Sequence, residues 1–296
     1  MPAPRIALVT SAQLPALYEE EQGFPPLLRA RGLNAEVVVW SDEGVDWTRF
    51  NLVVLRSPWD YFERIAEFRA WLARLERAQV PLQNPQALVR WNFDKHYLAE
   101  LEAKGVAIVP SRFLARGRPA NLARELAAAG FVEAVLKPTI SGGAFRTHRV
   151  APARAAALQP ALDEILVESG ALLQPFVPEI QDEGEWSLLF FDGAFSHAVV
   201  KTPPAGDFRV QPQHGGAARA VAPPAELIAE ALRIVSLLPV PPLYVRIDGV
   251  RVAGRFLLME VEAIEPYLFT RTAAGSAERY VECLARAARV NAAVRP

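Results

Sequence analysis

The sequence predicts an α/β (α+β) fold in which a small parallel unit is followed by antiparallel hairpins. Near the start lie three β-rich runs, Arg5 to Ser11, Asn34 to Trp40 and Phe50 to Ser57, spaced so that helices can connect them. Alternating strands and helices are typical of a parallel sheet with crossover connections. Later in the chain, Asp192-Gly193 and Ala253-Gly254 each separate two β-rich runs, and such dipeptides predict tight hairpin turns.

Length and composition limit the class of protein. The chain has 296 residues, of which 51% are hydrophobic and 22% charged, so it can form two or three compact units of a soluble protein. A net charge of -1 without blocks of like charge argues against a nucleic-acid partner. The single Cys283 excludes internal disulfides. The first apolar run is short for a signal peptide and no stretch approaches a membrane span, so we expect a cytoplasmic protein without a membrane partner. Monomer and homo-oligomer both remain open.

The third strand leads into the segment RSPWDY. Ligands of open parallel sheets bind at the carboxyl ends of the strands, and this rule makes the segment a candidate substrate lip. An arginine and an aspartate could hold the carboxylate and amine of an amino acid, while the rings shape the pocket. The alternative is a Pro-containing turn with a packed Trp. The candidate substrate residues are Arg56, Trp59, Asp60 and Tyr61.

The region between residues 83 and 150 contributes two lysines. Lys95 lies near the start of an amphipathic helical segment, where a lysine usually faces solvent. Lys137 ends the first of two strands in Ala134 to Val150, which enclose a loop with Ser141, Gly142 and Gly143. Backbone N–H groups of such a loop can approach a phosphate while the lysine adds charge. A hairpin with an ordinary Gly turn is the alternative.

The next segments predict a hinge, a hairpin and a polar loop. The strand ALLQPFV ends in a form that could lie beside a flat aromatic ligand. The following hairpin has an acid at one end and a lysine at the other. The loop GDFRVQPQHGG could close on an anion, or it could be a surface turn with a salt-bridged Arg. The residues of interest are Gln174, Phe176, Val177, Glu185, Lys201, Arg209 and His214.

The hairpin Tyr244 to Tyr267 brings acidic residues into an apolar sheet. Glu260 and Glu262 are two positions apart on one strand and therefore share a face, where their charges repel unless water or a cation neutralises them. Asp248 would join them if a bulge at Gly249 shifted the register by one residue. Carboxylate oxygens are preferred ligands of Mg²⁺. The hairpin therefore predicts a magnesium site, with a solvated edge hairpin as the alternative.

In this order the segments resemble the ATP-grasp superfamily, the carboxylate-amine ligases related to glutathione synthetase and D-alanine:D-alanine ligase. The resemblance covers nearly the whole chain, and PWDY and EVEAIEPYLF are most similar to the branch that contains the O-ureido-serine cyclo-ligase of cycloserine biosynthesis. It implies an ATP-grasp fold with a substrate-binding preamble at 1–90, a central lid at 91–175 and a C-terminal subdomain with the metal and substrate site at 176–296. The pattern Glu260-Val261-Glu262 departs from the usual Glu-x-Asn, which leaves the metal count open.

The resemblance also implies a role for each matched residue. ATP phosphates would be held by Lys95, Lys137 and the Ser141 to Gly143 loop, adenine by the Gln174 to Val177 hinge, and the rest of the nucleotide by Glu185 and Lys201. Mg²⁺ would bind Asp248, Glu260 and Glu262. Arg209 would stabilise an acyl phosphate with help from Arg246, and His214 and Glu265 would face a small amino-acid-like substrate.

The expected activity is ATP-dependent, Mg²⁺-dependent C–N ligation, between molecules or within one, with release of ADP and phosphate. The other readings are a small-molecule phosphotransferase and a non-catalytic ATP-binding regulator.

Overall fold

The computed structural model of the chain describes residues 2–294 and begins with a four-stranded parallel sheet. The strands are β1 (Arg5–Thr10), β2 (Asn34–Val39), β3 (Leu52–Ser57) and β4 (Leu82–Gln83), and they pair in the order β2-β1-β3-β4. Strands β1 and β3 are almost entirely buried, which explains their continuous apolar sequences. Helices α1 (Phe24–Arg29) and α2 (Ile65–Arg77) follow β1 and β3 in the chain. The predicted parallel unit is therefore confirmed.

A second, antiparallel sheet follows two short helices, α3 (Gln86–Asn92) and α4 (Tyr97–Ala103). Its strands pair in the order β5-β8-β6-β7, and helices α5 and α6 share its apolar core. Helix α5 starts where the Asn121 side chain accepts the backbone N–H of Arg124, and it ends at Gly130 with a left-handed φ of 68°. The elements are β5 (Arg112–Leu114), α5 (Leu122–Ala129), β6 (Ala134–Pro138), β7 (His148–Val150), α6 (Ala155–Glu168) and β8 (Ala171–Pro175).

The third sheet is five-stranded, antiparallel and packed between two apolar clusters. The elements from residue 179 onwards are α7 (Glu179–Asp182), β9 (Glu185–Phe191), β10 (Ala194–Thr202), β11 (Ala217–Val221), α8 (Ala225–Ser236), β12 (Tyr244–Val252), β13 (Arg255–Glu262) and α9 (Ser276–Val294). The strands pair in the order β11-β10-β9-β12-β13. Helix α8 belongs to one cluster, and α9 belongs to the other together with β1 and β3.

The bulge predicted at Gly249 is present between β12 and β13. Asp248 pairs with Glu260 while Gly249 pairs with Leu258, so Met259 is the extra residue on β13. A Cβ at Gly249 would lie 2.4 Å from the Leu257 carbonyl oxygen and from the Phe256 ring, so the backbones approach here as only glycine allows. The bulge therefore places Asp248, Glu260 and Glu262 on the same face of the sheet.

Polar side chains fix the parallel sheet to the five-stranded sheet. The Asn84 amide donates to the carbonyl oxygens of Tyr244 and Ala263, both at 2.7 Å, and accepts the N–H of Leu243. The Tyr244 hydroxyl lies 2.9 Å from the carbonyl oxygen of Gln83. Asn84 and Tyr244 are both fully buried, and their contacts set the position of the N-terminal unit against the acidic strand. No helix within residues 2–294 is long and apolar enough to cross a membrane.

Candidate active site

A cavity of about 990 Å³ is lined by residues of the two antiparallel sheets and by loops of all three sheets. Most of the residues singled out in the sequence lie on its wall, although they come from segments far apart in the chain. Those are Trp59, Tyr61, Lys95, Lys137, Ser141, Gly142, Gly143, Gln174, Val177, Glu185, Lys201, Arg209, His214, Arg246, Asp248, Glu260, Glu262 and Glu265.

The two lysines differ in their partners. Lys95 is buried, and its ammonium group lies 2.9 Å from the Ser141 carbonyl oxygen and 3.1 Å from the Glu260 carboxylate. Lys137 is half-buried and forms no salt bridge within the residues that the structure describes. Burial lowers the pKa of Lys137, against the attraction of Glu260. A partly desolvated ammonium group without a counter-ion favours an anionic ligand.

Two loops meet over the cavity. The Gln213 side-chain amide donates to the Gly143 carbonyl oxygen at 3.3 Å. Gly143 has a φ of +56°, and a Cβ there would lie 2.8 Å from that amide nitrogen. A Cβ at Gly142 would lie 2.9 Å from the Phe62 ring. The loop after β6 therefore packs tightly against both the N-terminal unit and the Phe208 to Gly216 loop, which also carries Arg209, paired with Asp207 at 2.7 Å.

The hinge after β8 reaches the cavity through Gln174, Pro175 and Val177. Phe176, predicted to contact adenine, is not on the cavity wall. Its backbone N–H donates to the Glu133 carbonyl oxygen at 2.9 Å, and its ring lies 3.7 Å from the Arg149 guanidinium carbon. The structure therefore does not bring Phe176 to the cavity, since this residue extends the pairing of β8 with β6.

The acids of β12 and β13 are each paired with a basic side chain. Asp248 receives a bidentate contact from Arg246 at 2.9 Å and lies 3.6 Å from Lys201. Arg246 also pairs with Glu262. Burial opposes ionisation of Asp248, but Arg246 and Lys201 outweigh it and lower its pKa. Within residues 2–294, no group of three or more His, Cys, Asp or Glu side chains is gathered closely enough to hold a metal ion. The predicted metal ligands thus lie in one cleft, but each forms an ion pair with a basic side chain.

The donor set nevertheless fits an added cation. Burial raises the pKa of Glu262 to about 8 and that of Glu265 to about 7, although Arg246 opposes both shifts. The protein's own cations therefore leave these carboxylates incompletely neutralised. Oxygen ligands of this kind are what Mg²⁺ prefers.

Next to these acids, Glu185 on β9 lies opposite Lys201 on β10 and pairs with it at 2.6 Å.

The structure brings only two of the four residues of the predicted substrate lip to the cavity. Arg56 is fully buried and pairs with Glu21, the Tyr280 hydroxyl and the Pro266 carbonyl oxygen, so it links three segments of the core. Asp60 is buried too, and it accepts the indole N–H of Trp40 at 2.7 Å. Neither lines the cavity, because Arg56 is held by partners in both the N-terminal unit and the C-terminal part of the chain and Asp60 by Trp40. Trp59 and Tyr61 do line it.

Two side chains near Lys95 were not foreseen as site residues. The Asn92 amide donates to the Val261 carbonyl oxygen and accepts the Ala263 N–H, both at 2.7 Å. The Tyr97 hydroxyl accepts the Val261 N–H at 3.0 Å. These two side chains bond to the backbone at the outer edge of β13, as a neighbouring strand would. They therefore hold the strand at Val261, the residue between Glu260 and Glu262. An asparagine inside a predicted helix was the available signal.

The fold and the cleft define the class of protein. The chain superposes on D-alanine–D-alanine ligase from Bacillus anthracis with a TM-score of 0.70 at 17% identity, over 99% of both chains. It superposes on the ATP-grasp ligase PsnB with a TM-score of 0.63 at 18% identity, over 98% of this chain and 100% of that one. These similarities show the fold, which is that of the ATP-grasp ligases.

More similar proteins narrow the class to a family. The crystal structure of D-cycloserine synthetase DcsG matches with a TM-score of 0.86 at 32% identity, over 96% of this chain and 99% of that one. The cycloserine biosynthesis protein DcsG of Streptomyces lavendulae is 38% identical over 299 residues, covering 95% of this chain and 97% of the relative. Residues 6–84 match the model of the N-terminal domain of D-cycloserine synthetase DcsG. The chain belongs to the DcsG family of ATP-grasp ligases.

Proposed function

We propose that this ligase joins a carboxylate to a nitrogen through an acyl phosphate, with ATP and Mg²⁺, on a small amino-acid-like substrate. The observation that carries the proposal is Lys137, a half-buried ammonium group without an acidic partner among the described residues, beside the Gly142-Gly143 loop. Lys95 approaches the same loop through Ser141. The β- and γ-phosphates of ATP would bind between them.

The chemistry requires no covalent bond to the protein. A substrate carboxylate oxygen attacks the γ-phosphorus, and the bond from phosphorus to the ADP oxygen breaks with its electron pair on ADP. The nitrogen then attacks the acyl carbon and loses a proton, and the C–O bond to phosphate breaks to release inorganic phosphate. Lys95, Lys137 and Arg209 provide positive charge where the transferring oxygens gather it. Arg209 would exchange Asp207 for the acyl phosphate, since both present carboxylate-like oxygens.

Asp248, Glu260 and Glu262 would hold Mg²⁺, which neutralises phosphate charge when bound. Two ion pairs in the cleft would have to break before these acids could bind the metal. Glu260 would leave Lys95, and Glu262 would leave Arg246. Both cations would then be free to turn towards phosphate or acyl oxygens. The ion pairs thus hold the acids in place before the nucleotide binds.

Water must be excluded, because an acyl phosphate hydrolyses. The loop around Gly143 and the loop around Gln213 already touch across the cavity. We propose that the two close further over bound ATP. The parallel unit, residues 1–90, would supply the outer wall for the substrate, through Trp59 and Tyr61.

The likeness to DcsG favours ring closure within one substrate molecule over the joining of two.

The test is an ADP-release screen over amino acids with Mg²⁺, repeated with hydroxylamine as a small nitrogen nucleophile. An acyl phosphate reacts with hydroxylamine to give a hydroxamate and phosphate. We expect ADP and hydroxamate in equal amounts for at least one amino acid. A stable phosphorylated product would instead identify a phosphotransferase, and ATP binding without ADP release under every condition would identify a regulator.

A further inference from the structure

Three aromatic rings and the acidic residue Glu265 lie close together on the wall of the cavity. Tyr18, Trp59 and Tyr267, here called the aromatic box, all line the cavity together with Glu265. The ring centres of Tyr18 and Trp59 are 4.9 Å apart, and those of Tyr18 and Tyr267 are 5.3 Å apart. The Trp59 indole N–H points to the Glu265 carbonyl oxygen at 3.4 Å. The rings and the acid are therefore neighbours.

Glu265 has no cationic partner in the described part of the chain. Glu265 is only 9% exposed, yet its carboxylate forms no salt bridge with any residue in that part of the chain. The two arginines whose charge reaches it are held elsewhere, Arg56 by Glu21 and Arg246 by Asp248 and Glu262. The neighbouring Tyr61 hydroxyl stabilises the ionised form of Glu265 and opposes the rise in its pKa that burial causes. A carboxylate buried to this degree and open only to a cavity favours a cationic ligand.

The aromatic rings favour the same kind of ligand as the Glu265 carboxylate. Aromatic faces carry partial negative charge and attract ammonium groups within about 6 Å. An apolar substrate group would gain from the rings but would leave Glu265 unpaired. A substrate carboxylate would be repelled by it. An ammonium group alone satisfies both the rings and the carboxylate.

We propose that Glu265 and the aromatic box form a subsite for a primary ammonium group of the substrate. The assignment rests on the proposed function, since it places this group on the molecule whose carboxylate is activated. The subsite makes a free amine a requirement for recognition, so the amine is held rather than joined. The nitrogen that attacks the acyl phosphate must then be a second one, supplied elsewhere in the same molecule or by another.

The experiment compares D-alanine and L-alanine with propanoate, which has the same carboxylate and no amine. Binding is measured by ligand-observed NMR titration in the presence of Mg²⁺ and ADP. We expect at least one alanine to bind at least about tenfold more tightly than propanoate, and Glu265→Gln to remove that difference while propanoate binding is kept. Glu63→Gln is the matched control, because Glu63 is an exposed acid just after the RSPWDY segment and lies off the cavity wall. It should keep the wild-type preference.

Three results would overturn the subsite. These are equal binding of alanine and propanoate by the wild type, an undiminished preference in Glu265→Gln, and no binding of either alanine. A weaker Mg²⁺ affinity in Glu265→Gln would also overturn it, because Glu265 would then be a metal ligand. If Glu265→Gln does not fold, Trp59→Leu replaces it and should weaken alanine binding more than propanoate binding. The outcome is independent of hydroxamate formation, so failure of the ligase proposal is recognised separately.

Discussion

Gly249 offers the sharpest test of how the acidic strand is built. A methyl group at this position would lie 2.4 Å from the Leu257 carbonyl oxygen and 2.4 Å from the Phe256 ring, both 0.6 Å inside the 3.0 Å that real Cβ atoms keep. The phenyl ring can turn, but the carbonyl belongs to the paired strand and cannot move without shifting the bulge. We expect Gly249→Ala to cost about 1–3 kcal/mol of unfolding free energy, the usual cost of overpacking.

The functional consequence follows from the register. Because the bulge sets Asp248 opposite Glu260, a shifted strand would misplace the proposed metal ligands. The assay is the dissociation constant of ADP with and without Mg²⁺, alongside urea unfolding. The variant should lose most of the tightening that Mg²⁺ gives the wild type. Gly254→Ala is the control in the same hairpin, since a Cβ there meets nothing within 4 Å and only its φ of +79° is strained. Gly249→Ala with wild-type stability and an unchanged Mg²⁺ effect would refute the reasoning.

Three further substitutions test other parts of the cleft. Glu260→Gln should lower the rate of ADP release at least ~10²-fold with little change in stability; a near-normal rate would remove Glu260 from the site. Lys137→Ala should weaken ATP binding in calorimetry far more than it lowers Tm, whereas a stability loss at unchanged affinity would make Lys137 a structural residue of the hairpin. Arg56→Met should cost about 3–5 kcal/mol in urea unfolding, because it strands the buried Glu21. Adding Glu21→Gln should recover part of that loss, and wild-type stability of the single variant would contradict the role given to Arg56.

The strands and turns could be predicted because their causes are local. Asp192-Gly193 and Ala253-Gly254 both adopt positive φ at each turn residue. An Asp-Gly pair favours this conformation, whereas Ala253 adopts it because the two-residue loop requires it. The bulge at Gly249 followed from combining turn length with the period of a strand. With that bulge, the sequence places Asp248, Glu260 and Glu262 on one face of the sheet.

Side-chain partners from distant segments could not be predicted in this way. The rule for parallel sheets located the end of β3 correctly, but it does not say where a given side chain points. Arg56 turns into the core because Glu21, 35 positions earlier, lies there to receive it. Phe176 turns away because Arg149 stacks on its ring. The pairing of Asn92 and Tyr97 with the edge of β13 likewise depends on packing between helices and a strand about 164–171 residues away.

The central claim is that the substrate carboxylate is activated by direct transfer of the γ-phosphoryl group. The measurement is the fate of ¹⁸O in a substrate whose carboxylate oxygens are labelled, once the screen has identified that substrate. Attack by the carboxylate places one of its oxygens in the bridge to phosphorus, and cleavage of the acyl bond leaves that oxygen in the released phosphate. Mass spectrometry should therefore find one ¹⁸O in each inorganic phosphate formed with product. Unlabelled phosphate formed together with the ligated product would contradict the acyl-phosphate mechanism.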